Sequence, residues 1–295
     1  MTMERLDFGI RPASYDDGYV DAPFSDRADI FRDVRTRQAI AMCLDRQRVV
    51  DTVLFGLVDV PDTYLPPDHP LYNPDVQTYP FDVTAATRLL DEIGWRDHDN
   101  DPSTPRQAVG VTGVPLGTPL QLTYLTTGAT QRRQVSEILR ESLAQCGIGV
   151  QVEYLPVEAF YAAGPTGPLF GRRFDLAEYA MGTAGIEPPC AWYTSEEIPT
   201  EANHWVGTNV TGYGDPAFDR SCREAGYYLP DEPEYVQKHR EVQALFAENL
   251  PVVPLYPRLR IAAARPDMCH FSLDGTSVSA LWNIEAFDYG AMCSP

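Results

Sequence analysis

The sequence lacks the segments and motifs that mark several large classes of protein. It has no run of 18 apolar residues, and its first 25 residues contain no apolar signal core, so neither a membrane span nor a leader is predicted. Its cysteines and histidines show no C-x-x-C and no zinc-ligand spacing, and G-x-S-x-G, H-E-x-x-H, P-loop and dinucleotide-binding motifs are all missing. No catalytic residue, cofactor or metal site is therefore predicted.

Basic residues are also scarce. The chain has 23 Lys and Arg against 42 Asp and Glu, which gives a net charge of −19. Such a charge repels phosphate backbones and anionic lipid headgroups, so nucleic acid and membrane surfaces are not expected partners. The 295 residues are 44% hydrophobic, enough to bury a core in one large domain or two small ones. Taken as a complete gene product, a chain without a leader would be expected in the cytoplasm.

The most basic stretch is FRDVRTRQAIAMCLDRQRVVDTVLFG, residues 31–56, which carries five arginines within eighteen positions. Its apolar residues recur at mostly three- and four-residue steps, which predicts a helix with the arginines mainly on the solvent face. Asp45 can cap a second helical segment, so a break is predicted there. The stretch is interpreted as a scaffold element and not as an active site.

The remaining pattern predicts an α/β fold. The elements predicted from periodicity, caps and glycines are a helix at 82–94, a strand at 120–128, a helix at 130–147, strands at 148–156 and 173–182, and helices at about 216–229 and 232–249. A strand, helix and strand in succession normally form a parallel, right-handed unit, so the two strands around the helix at 130–147 are expected to be parallel.

Residues 183–216 form a long run without periodicity, rich in Gly, Pro and aromatic residues. Loops of this length inside a compact domain are usually functional or disordered. Its aromatic side chains and Glu187 could form a ligand surface or could seal the loop onto its own core, and the sequence leaves both open. Cys190 and Cys222 bracket the run, so a disulfide is predicted between them, and a second one is considered for Cys269 with Cys293.

An acidic run at residues 96–104 resembles the start of a calcium loop. Asp97, Asp99 and Asp101 occupy the first three ligand positions. Pro102 stands where the loop needs glycine, and no bidentate glutamate follows at the last position. A solvated turn is therefore predicted.

Five stretches in order resemble the family 5 extracellular solute-binding proteins, the peptide, nickel and oligosaccharide receptors of ABC importers. They are FRDVRTRQAIAMCLDRQRVVDTVLFG, YLPPDHPLYNP, YPFDVTAATRLLDEIGW, RRFDLAEYAMG and EVQALFAENLPVVPLYPRLR. The resemblance covers residues 5 to 290, approximately, and the first and last stretches are specific in combination. It implies a type II periplasmic-binding-protein-like α/β fold, with this chain as a second lobe in which helices flank a mixed sheet.

The resemblance also implies a division of the chain, because family proteins are about twice this length. Residues 1–30 would be a crossing segment from a missing first lobe, 31–251 the C-terminal substrate-binding lobe, and 252–295 a return segment towards the first lobe. The expected location is then extracytoplasmic, with the leader encoded upstream. The expected partners are a small solute, the permease subunits of an ABC transporter and the missing N-terminal lobe.

Peptide-binding members carry an acidic amine anchor in a motif resembling A-D-Y-x-D-P. Here Ala184 and Gly185 stand near the anchor position, so the anchor is missing or displaced to Glu187, and peptide and oligosaccharide ligands both remain open. The residues expected to face the ligand are Met181, Thr183, Glu187, Trp192, Trp205, Asn209 and Tyr213. The alternatives are an acid-dependent glycan hydrolase and a non-enzymatic protein-binding adaptor.

Overall fold

The structure is a computed structural model that describes residues 1–16, 27–101, 103–183, 186–275, 277, 279–290 and 293. The described strands are β1 (Thr2–Phe8), β2 (Trp95–Arg96), β3 (Gln107–Ala108), β4 (Gln121–Thr127), β5 (Gly149–Leu155), β6 (Leu176–Gly182), β7 (Val252–Pro257), β8 (Met268–Cys269) and β9 (Asp288–Tyr289). The described α-helices are α1 (Val34–Met42), α2 (Arg46–Val53), α3 (Val83–Ile93), α4 (Thr130–Ala144), α5 (Val157–Phe160), α6 (Pro216–Ala225) and α7 (Pro233–Asn249).

The main sheet has five strands in the order β5-β4-β6-β1-β7. Strand β4 is parallel to both β5 and β6, whereas β1 is antiparallel to both β6 and β7, so the sheet is mixed. Strand β1 therefore lies inside this sheet, paired on both sides. Two further hairpins of two-residue strands join β2 to β3 and β8 to β9.

Local sequence signals account for several helix boundaries. The carboxylates of Asp33, Asp45 and Asp82 each accept a hydrogen bond from a first-turn amide of α1, α2 and α3. Gly94 ends α3 with a φ of 110°, a left-handed conformation that glycine adopts without steric cost. The predicted break at Asp45 and the predicted helix at 82–94 are both confirmed.

The predicted strand-helix-strand unit is confirmed as well. Strands β4 and β5 pair in parallel, with Gln121 opposite Gly149 and Thr127 opposite Leu155, and α4 connects them. Its amphipathic stripe buries Val135, Ile138 and other apolar residues. In its described part, the long run at 183–216 contains only short 3-10 helices between β6 and α6.

Helices and loops cover both faces of the main sheet. On one face, alternate strand residues such as Leu6, Leu122 and Leu176 belong to a core shared with α1 to α4. On the opposite face, Leu125, Ala177 and Tyr179 pack with residues of the loops after α5 and after β6. A neighbouring cluster contains Tyr64, Tyr193 and Phe246 and links the irregular loops to α6 and α7. The chain is thus built in three layers around one sheet.

Three of the five arginines at 31–56 face solvent, as the prediction of a mainly solvent-facing group expects, and two do not. Arg32, Arg35 and Arg48 are exposed, but Arg37 and Arg46 are buried. Arg37 donates to carbonyl oxygens at the end of α7, and Arg46 donates to the carbonyls of Pro61, Tyr79 and Pro254 at 2.7 to 3.1 Å. Burial lowers the pKa of Arg37 to about 10. These two guanidinium groups therefore fasten the helices to β7 and to the loops beside it.

All six cysteines are paired in the structure. Cys190 is bonded to Cys222 and Cys269 to Cys293, the two pairs named from the sequence. A third bond joins Cys43, at the end of α1, to Cys146, just after α4. No signal in the sequence indicated this last pair, because its partners are 103 positions apart and neither lies in a recognisable motif.

The segment after β7 is largely exposed along its described part. It carries the small β8–β9 hairpin, the Cys269–Cys293 bond and several exposed apolar side chains, among them Ile261 and Trp282. Among the described residues, no helix has both the length and the apolar character needed to cross a membrane.

Candidate functional site

The candidate site lies along one edge of the main sheet, which we call the carboxyl edge. Strands β4, β5, β6 and β7 all end there, and the antiparallel β1 begins there. In open α/β sheets, ligands bind outside the carboxyl ends of parallel strands. The edge is therefore formed by Thr127, Leu155, Gly182, Pro257 and Thr2, together with the residues that follow each strand.

Two of the residues predicted to face the ligand are located at this edge. Met181 lies near the end of β6 and Thr183 follows it, and both side chains are half-buried. The hydroxyl of Thr183 is buried without a hydrogen-bond partner among the described residues. Its amide donates to the carbonyl of Met1 at 2.8 Å, which ties the end of β6 to the start of β1.

A buried ion pair lies beneath Met181 on one face of the sheet. Arg5 donates to both carboxylate oxygens of Asp7 at 2.6 Å, and the hydroxyl of Tyr179 donates to the same carboxylate at 2.7 Å. The guanidinium group lies over the rings of Tyr179 and Tyr193, at 5.1 and 4.9 Å from their centroids, and contacts the sulfur of Met181 at 3.3 Å. The end of β6 is therefore supported by a polar cluster that is closed to solvent.

On the opposite face, two arginines share one buried carboxylate. The Nε of Arg132, in the first turn of α4, donates to Oε1 of Glu4 at 2.6 Å, and Nη1 donates to the hydroxyl of Thr127 at 2.8 Å. The Nε of Arg258, just after β7, lies 3.8 Å from Oε2 of the same Glu4. Glu4 is 1% exposed, Arg132 is 11% exposed and Arg258 is 47% exposed. This cluster places two positive charges at the carboxyl edge.

A second carboxyl group, that of Glu178, lies fully buried beside this cluster. Its Oε2 accepts a hydrogen bond from Tyr124 at 3.0 Å, and its Oε1 has no partner among the described residues. Burial, followed by the nearby charge of Glu4, raises the pKa of Glu178 well above its ordinary value. Burial therefore favours the neutral form of Glu178, whereas the Glu4 carboxylate is the one that both arginines approach.

Replacing Glu178 by glutamine is expected to remove a pH dependence of stability. In the folded chain Glu178 keeps its proton above the ordinary pKa of 4.5, so the free energy of unfolding is highest below that value and falls as pH rises towards the folded pKa. At about pH 8 the variant should be more stable than the parent, and at about pH 4 the two should agree. Urea unfolding across this range measures the difference.

The matched control for that variant is Glu153→Gln, on the exposed side of β5. It removes a carboxylate of the same type from the neighbouring part of the sheet without a change in a buried site. The two variants should differ in the slope of stability against pH. Equal slopes would contradict a raised pKa of Glu178 in the folded chain.

Glu187 and Trp192 lie on the irregular run between β6 and α6. Glu187 is exposed and lies near the first turns of α7. Burial lowers the pKa of His239 in that helix, and the negative charge of Glu187 opposes this shift. Trp192 is half-buried against the cluster that includes Tyr193, and its carbonyl accepts from Thr208 at 3.2 Å. Ala184 and Gly185, which stand near the expected amine anchor, are outside the described residues.

The structure corrects the expectation that Asn209 and Tyr213 face a ligand. The amide of Asn209 is fully buried and donates to the carbonyls of Tyr193, Thr194 and Tyr213 at 2.8 to 3.1 Å. Tyr213 is 5% exposed, with its ring packed against Phe218. Both residues fold the irregular run onto itself, because its carbonyl groups need donors once they are buried.

Trp205 lines a cavity of about 760 Å³, and Pro165 and Arg172 are among the other residues that line it. Neither Met181 nor Thr183 is among the residues that line this cavity. Of the seven residues predicted to face the ligand, Met181 and Thr183 therefore lie at the carboxyl edge, whereas Trp205 lines this separate cavity.

The acidic run after β2 forms a self-contained turn. The carboxylate of Asp97 accepts from the amides of Asp99 and Asn100, and that of Asp99 accepts from the amide of Asp101. Within the described part of the chain, no group of three or more His, Cys, Asp or Glu side chains could hold a metal ion.

Sequence reasoning missed the charged residues of the carboxyl edge. The available signal was their position inside strand patterns: Glu4, Arg5 and Asp7 occur in TMERLDF, and Glu178 occurs in LAEYAMG. Buried charges are rare unless they are paired, so charges in the middle of a strand indicate a polar cluster inside the fold. Their partners, Arg132 and Arg258, come from distant parts of the chain and carry no local signal.

Comparison with known proteins gives a consistent set of similarities. The sequence profile of the bacterial extracellular solute-binding proteins, family 5 middle region, matches residues 12–196. The oligopeptide-binding protein AppA of Bacillus subtilis is 22% identical over 244 residues, which cover 81% of this chain and 41% of that protein. Protein XP55 of Streptomyces lividans is 27% identical over 242 residues, which cover 81% of this chain and 40% of that protein. The chain thus spans about two fifths of the length of these relatives.

Solved structures also superimpose on most of this chain and on about half of their own length. The oligopeptide-binding protein of Thermus thermophilus, complexed with a pentapeptide, superimposes with a TM-score of 0.73 at 24% identity, over 98% of this chain and 47% of that one. NikA of Brucella suis, in complex with Fe(III)-EDTA, superimposes with a TM-score of 0.71 at 20% identity, over 98% of this chain and 51% of that one. The mixed sheet with helices on both faces is the type II periplasmic-binding-protein fold that the sequence resemblance implied.

Proposed function

Because the chain belongs to the family 5 bacterial extracellular solute-binding proteins, we propose that it captures a small solute at its carboxyl edge for an ABC importer. The observation that carries this proposal is the construction of the edge. Half-buried Met181 and Thr183 lie at this edge, Arg5 supports Met181 on one face of the sheet, and the Arg132–Glu4 cluster lies on the other face. Such an arrangement can hold a ligand by contacts and hydrogen bonds, and the proposal assigns it no bond-breaking step.

The proposed organisation follows the division expected from the resemblance. Residues 1–30 and 252–295 would connect the lobe at 31–251 to a second lobe. This is supported by β1 and β7, which lie side by side and respectively begin and end at the carboxyl edge. Closure of two lobes about these connections would bury the solute, and the closed form would be recognised by the permease subunits.

The three disulfides support an extracytoplasmic location. Disulfide bonds form and persist in oxidising compartments and are rare where thiols are kept reduced. All six cysteines of this chain are used in such bonds. We propose that the protein acts outside the cytoplasm, in the periplasm or attached to the outer side of the membrane.

The proposed solute is a peptide or an oligosaccharide. The relatives include oligopeptide- and dipeptide-binding proteins, and one structural neighbour, a periplasmic oligopeptide-binding protein of Thermotoga maritima, has mannohexaose bound. Here, Ala184 and Gly185 offer no carboxylate near the position of the amine anchor. The amine of a peptide would then be held elsewhere, by Glu187 or by the other lobe.

Ligand-observed NMR tests this function on the 295-residue chain, because one lobe is expected to bind only in the millimolar range. Saturation transfer from protein to trialanine or to cellotriose is expected for at least one of the two solutes. Thr183→Trp should abolish the transfer by filling the carboxyl edge, whereas Thr84→Trp, on the exposed side of α3, should leave it unchanged. Absence of transfer from both solutes, or equal transfer in the Thr183 variant, would refute capture at this edge.

A further inference from the structure

A histidine beside the carboxyl edge contacts the chain that follows β6. Nε2 of His69 lies 2.9 Å from the carbonyl oxygen of Ile186, 117 positions away in the sequence. Nδ1 of the same ring accepts a hydrogen bond from the amide of Leu71 at 3.1 Å. The imidazole thus joins the loop at residues 66–72 to the chain after β6.

These two contacts fix the protonation state of the ring. Because Nδ1 accepts from the amide of Leu71, it carries no hydrogen, so the hydrogen of the neutral ring is on Nε2, which donates to the carbonyl of Ile186. In the imidazolium form both ring nitrogens carry hydrogen, and the hydrogen on Nδ1 would point at the N–H of Leu71. The observed arrangement therefore fits the neutral ring and not the cation.

The loop that carries His69 is anchored independently of the ring. The amide of His69 donates to the carbonyl of Pro66 at 3.0 Å, and its carbonyl accepts from the amide of Tyr72 at 2.9 Å. Leu71 is 8% exposed, and its carbonyl accepts from the buried side-chain amide of Gln243 at 2.7 Å. Loss of the ring contacts would therefore free the chain after β6 more than the loop.

The chain after β6 has few other attachments. Among the described residues between Thr183 and Pro189, the bond from His69 is the one hydrogen bond that holds the chain. Pro188 has no amide hydrogen to donate, and the side chain of Ile186 is 57% exposed, so burial does not fix this segment either. The ring of His69 therefore sets the position of the segment.

This segment is part of the carboxyl edge. It follows Thr183, and Ile186 and His69 line a cavity of about 430 Å³ together with Thr2 and Pro257, which belong to the same edge. When His69 is neutral, a solute at this edge meets a segment that is already in place. When the segment is free, binding must order it, and this lowers the affinity.

The surroundings of the ring act on its protonation in both directions. Burial lowers the pKa of His69 from its ordinary value of 6.5, while the hydrogen bond to Ile186 and the charge of Asp68 oppose this shift. Burial also lowers the pKa of the neighbouring His239 on α7, whose Nδ1 has no partner among the described residues. The other charged groups near the two rings are the amino group of Met1 and the side chains of Glu187, Arg258 and Arg260. Because the pKa of His69 is lower in the folded chain than in the unfolded chain, its contacts are intact above about pH 6.5 and are lost as pH falls through the folded pKa.

We propose that His69 is a pH-sensitive positioning residue. Its neutral ring holds the segment at Ile186 in place at the carboxyl edge, and protonation of the ring frees the segment and weakens solute binding. This inference rests on the proposed function and adds a regulation of the same site. Solute is then bound more tightly near neutral pH than in an acidic medium.

Ligand-observed NMR titration of the 295-residue chain with trialanine and with cellotriose, at about pH 7.5 and about pH 5, measures the effect on binding. The affinity for the solute that binds should be about 3- to 10-fold lower at the acidic pH, the range expected for the net loss of one hydrogen bond. In proton–nitrogen correlation spectra, the amide signals of Leu71 and Ile186 should shift with the same midpoint as the His69 ring, below pH 6.5.

Two substitutions separate the contacts of the ring. His69→Gln keeps a side-chain donor for the carbonyl of Ile186 but cannot be protonated, so its affinity should equal that of the parent at about pH 7.5 and stay the same at about pH 5. His69→Asn can still accept from the amide two residues ahead but is too short to reach Ile186, so its affinity should be low at both pH values. His98→Gln is the control and should follow the parent, since His98 is exposed in the acidic turn after β2.

Two results would overturn the inference and leave the proposed function standing. One is equal affinity of the parent for the solute at both pH values. The other is a pH dependence that persists at full size in His69→Gln, which would assign it to another group such as His239. If neither solute binds, the proposed function fails, and amide signals of Leu71 and Ile186 that do not titrate with the His69 ring would overturn the release of the segment as well.

Discussion

Replacing Cys43 and Cys146 by alanine together is expected to lower the free energy of unfolding by about 4 to 5 kcal/mol. Their disulfide joins residues 103 positions apart and connects the end of α1 to the end of α4. A cross-link over so long a loop removes a large amount of entropy from the unfolded chain. Alanine is preferred to serine because both sulfurs are buried, and a hydroxyl there would add an unpaired polar group. Urea unfolding of both proteins gives the difference.

The matched control is the double replacement of Cys269 and Cys293 by alanine. That bond spans 24 positions in the exposed segment after β7, outside the three buried clusters. Its loss should loosen the segment but shift the unfolding midpoint of the core little, because few core contacts depend on it. A loss at Cys43 and Cys146 no larger than at Cys269 and Cys293 would contradict the assigned role of the long bond.

Replacing Arg5 by methionine is expected to cost about 3 to 5 kcal/mol of stability. The change leaves the carboxylate of Asp7 fully buried without its cation, and among the described residues the hydroxyl of Tyr179 is then its only side-chain donor. An uncompensated buried charge is among the most costly single defects in a protein core. The support of Met181 is lost as well, so binding at the carboxyl edge should weaken together with stability. Calorimetric unfolding and the NMR titration measure the two effects.

Two comparisons isolate the cause of that loss. The double variant Arg5→Met, Asp7→Leu removes both charges and should recover much of the stability, because a buried ion pair often contributes no more than apolar residues of similar volume. Arg35→Met breaks the exposed pair with Asp33 and should cost no more than about 1 kcal/mol. If the double variant were less stable than Arg5→Met alone, the loss would come from packing and not from an unpaired charge.

The sequence predicted the local elements well because their causes are local. Asp33, Asp45 and Asp82 cap helices through amides within three residues of each carboxylate, and Gly94 ends α3 through its own backbone conformation. The parallel pair β4 and β5 followed from a strand, a helix and a strand in succession. These signals depend on neighbours along the chain, so they can be read without the fold.

The candidate site was predicted only in part. Met181 and Thr183, predicted from their position at the end of a recognisable strand, lie at the carboxyl edge. Asn209 and Tyr213 were wrongly placed, because polar and aromatic residues of an irregular run can either bind a ligand or satisfy the loop itself. In this fold the buried carbonyls of Tyr193, Thr194 and Tyr213 needed a donor, and the amide of Asn209 supplies it.

By itself the sequence determined the positions of most helices and of β4, β5 and β6, the α/β class and the family, because periodicity, caps and motif order are properties of adjacent residues. Only the tertiary structure decided that β1 lies between β6 and β7, that Cys43 reaches Cys146, and that Arg132 and Arg258 meet at Glu4. These contacts join residues more than a hundred positions apart. Their energies depend on burial and on the direction of each side chain, which exist only once the sheet has formed.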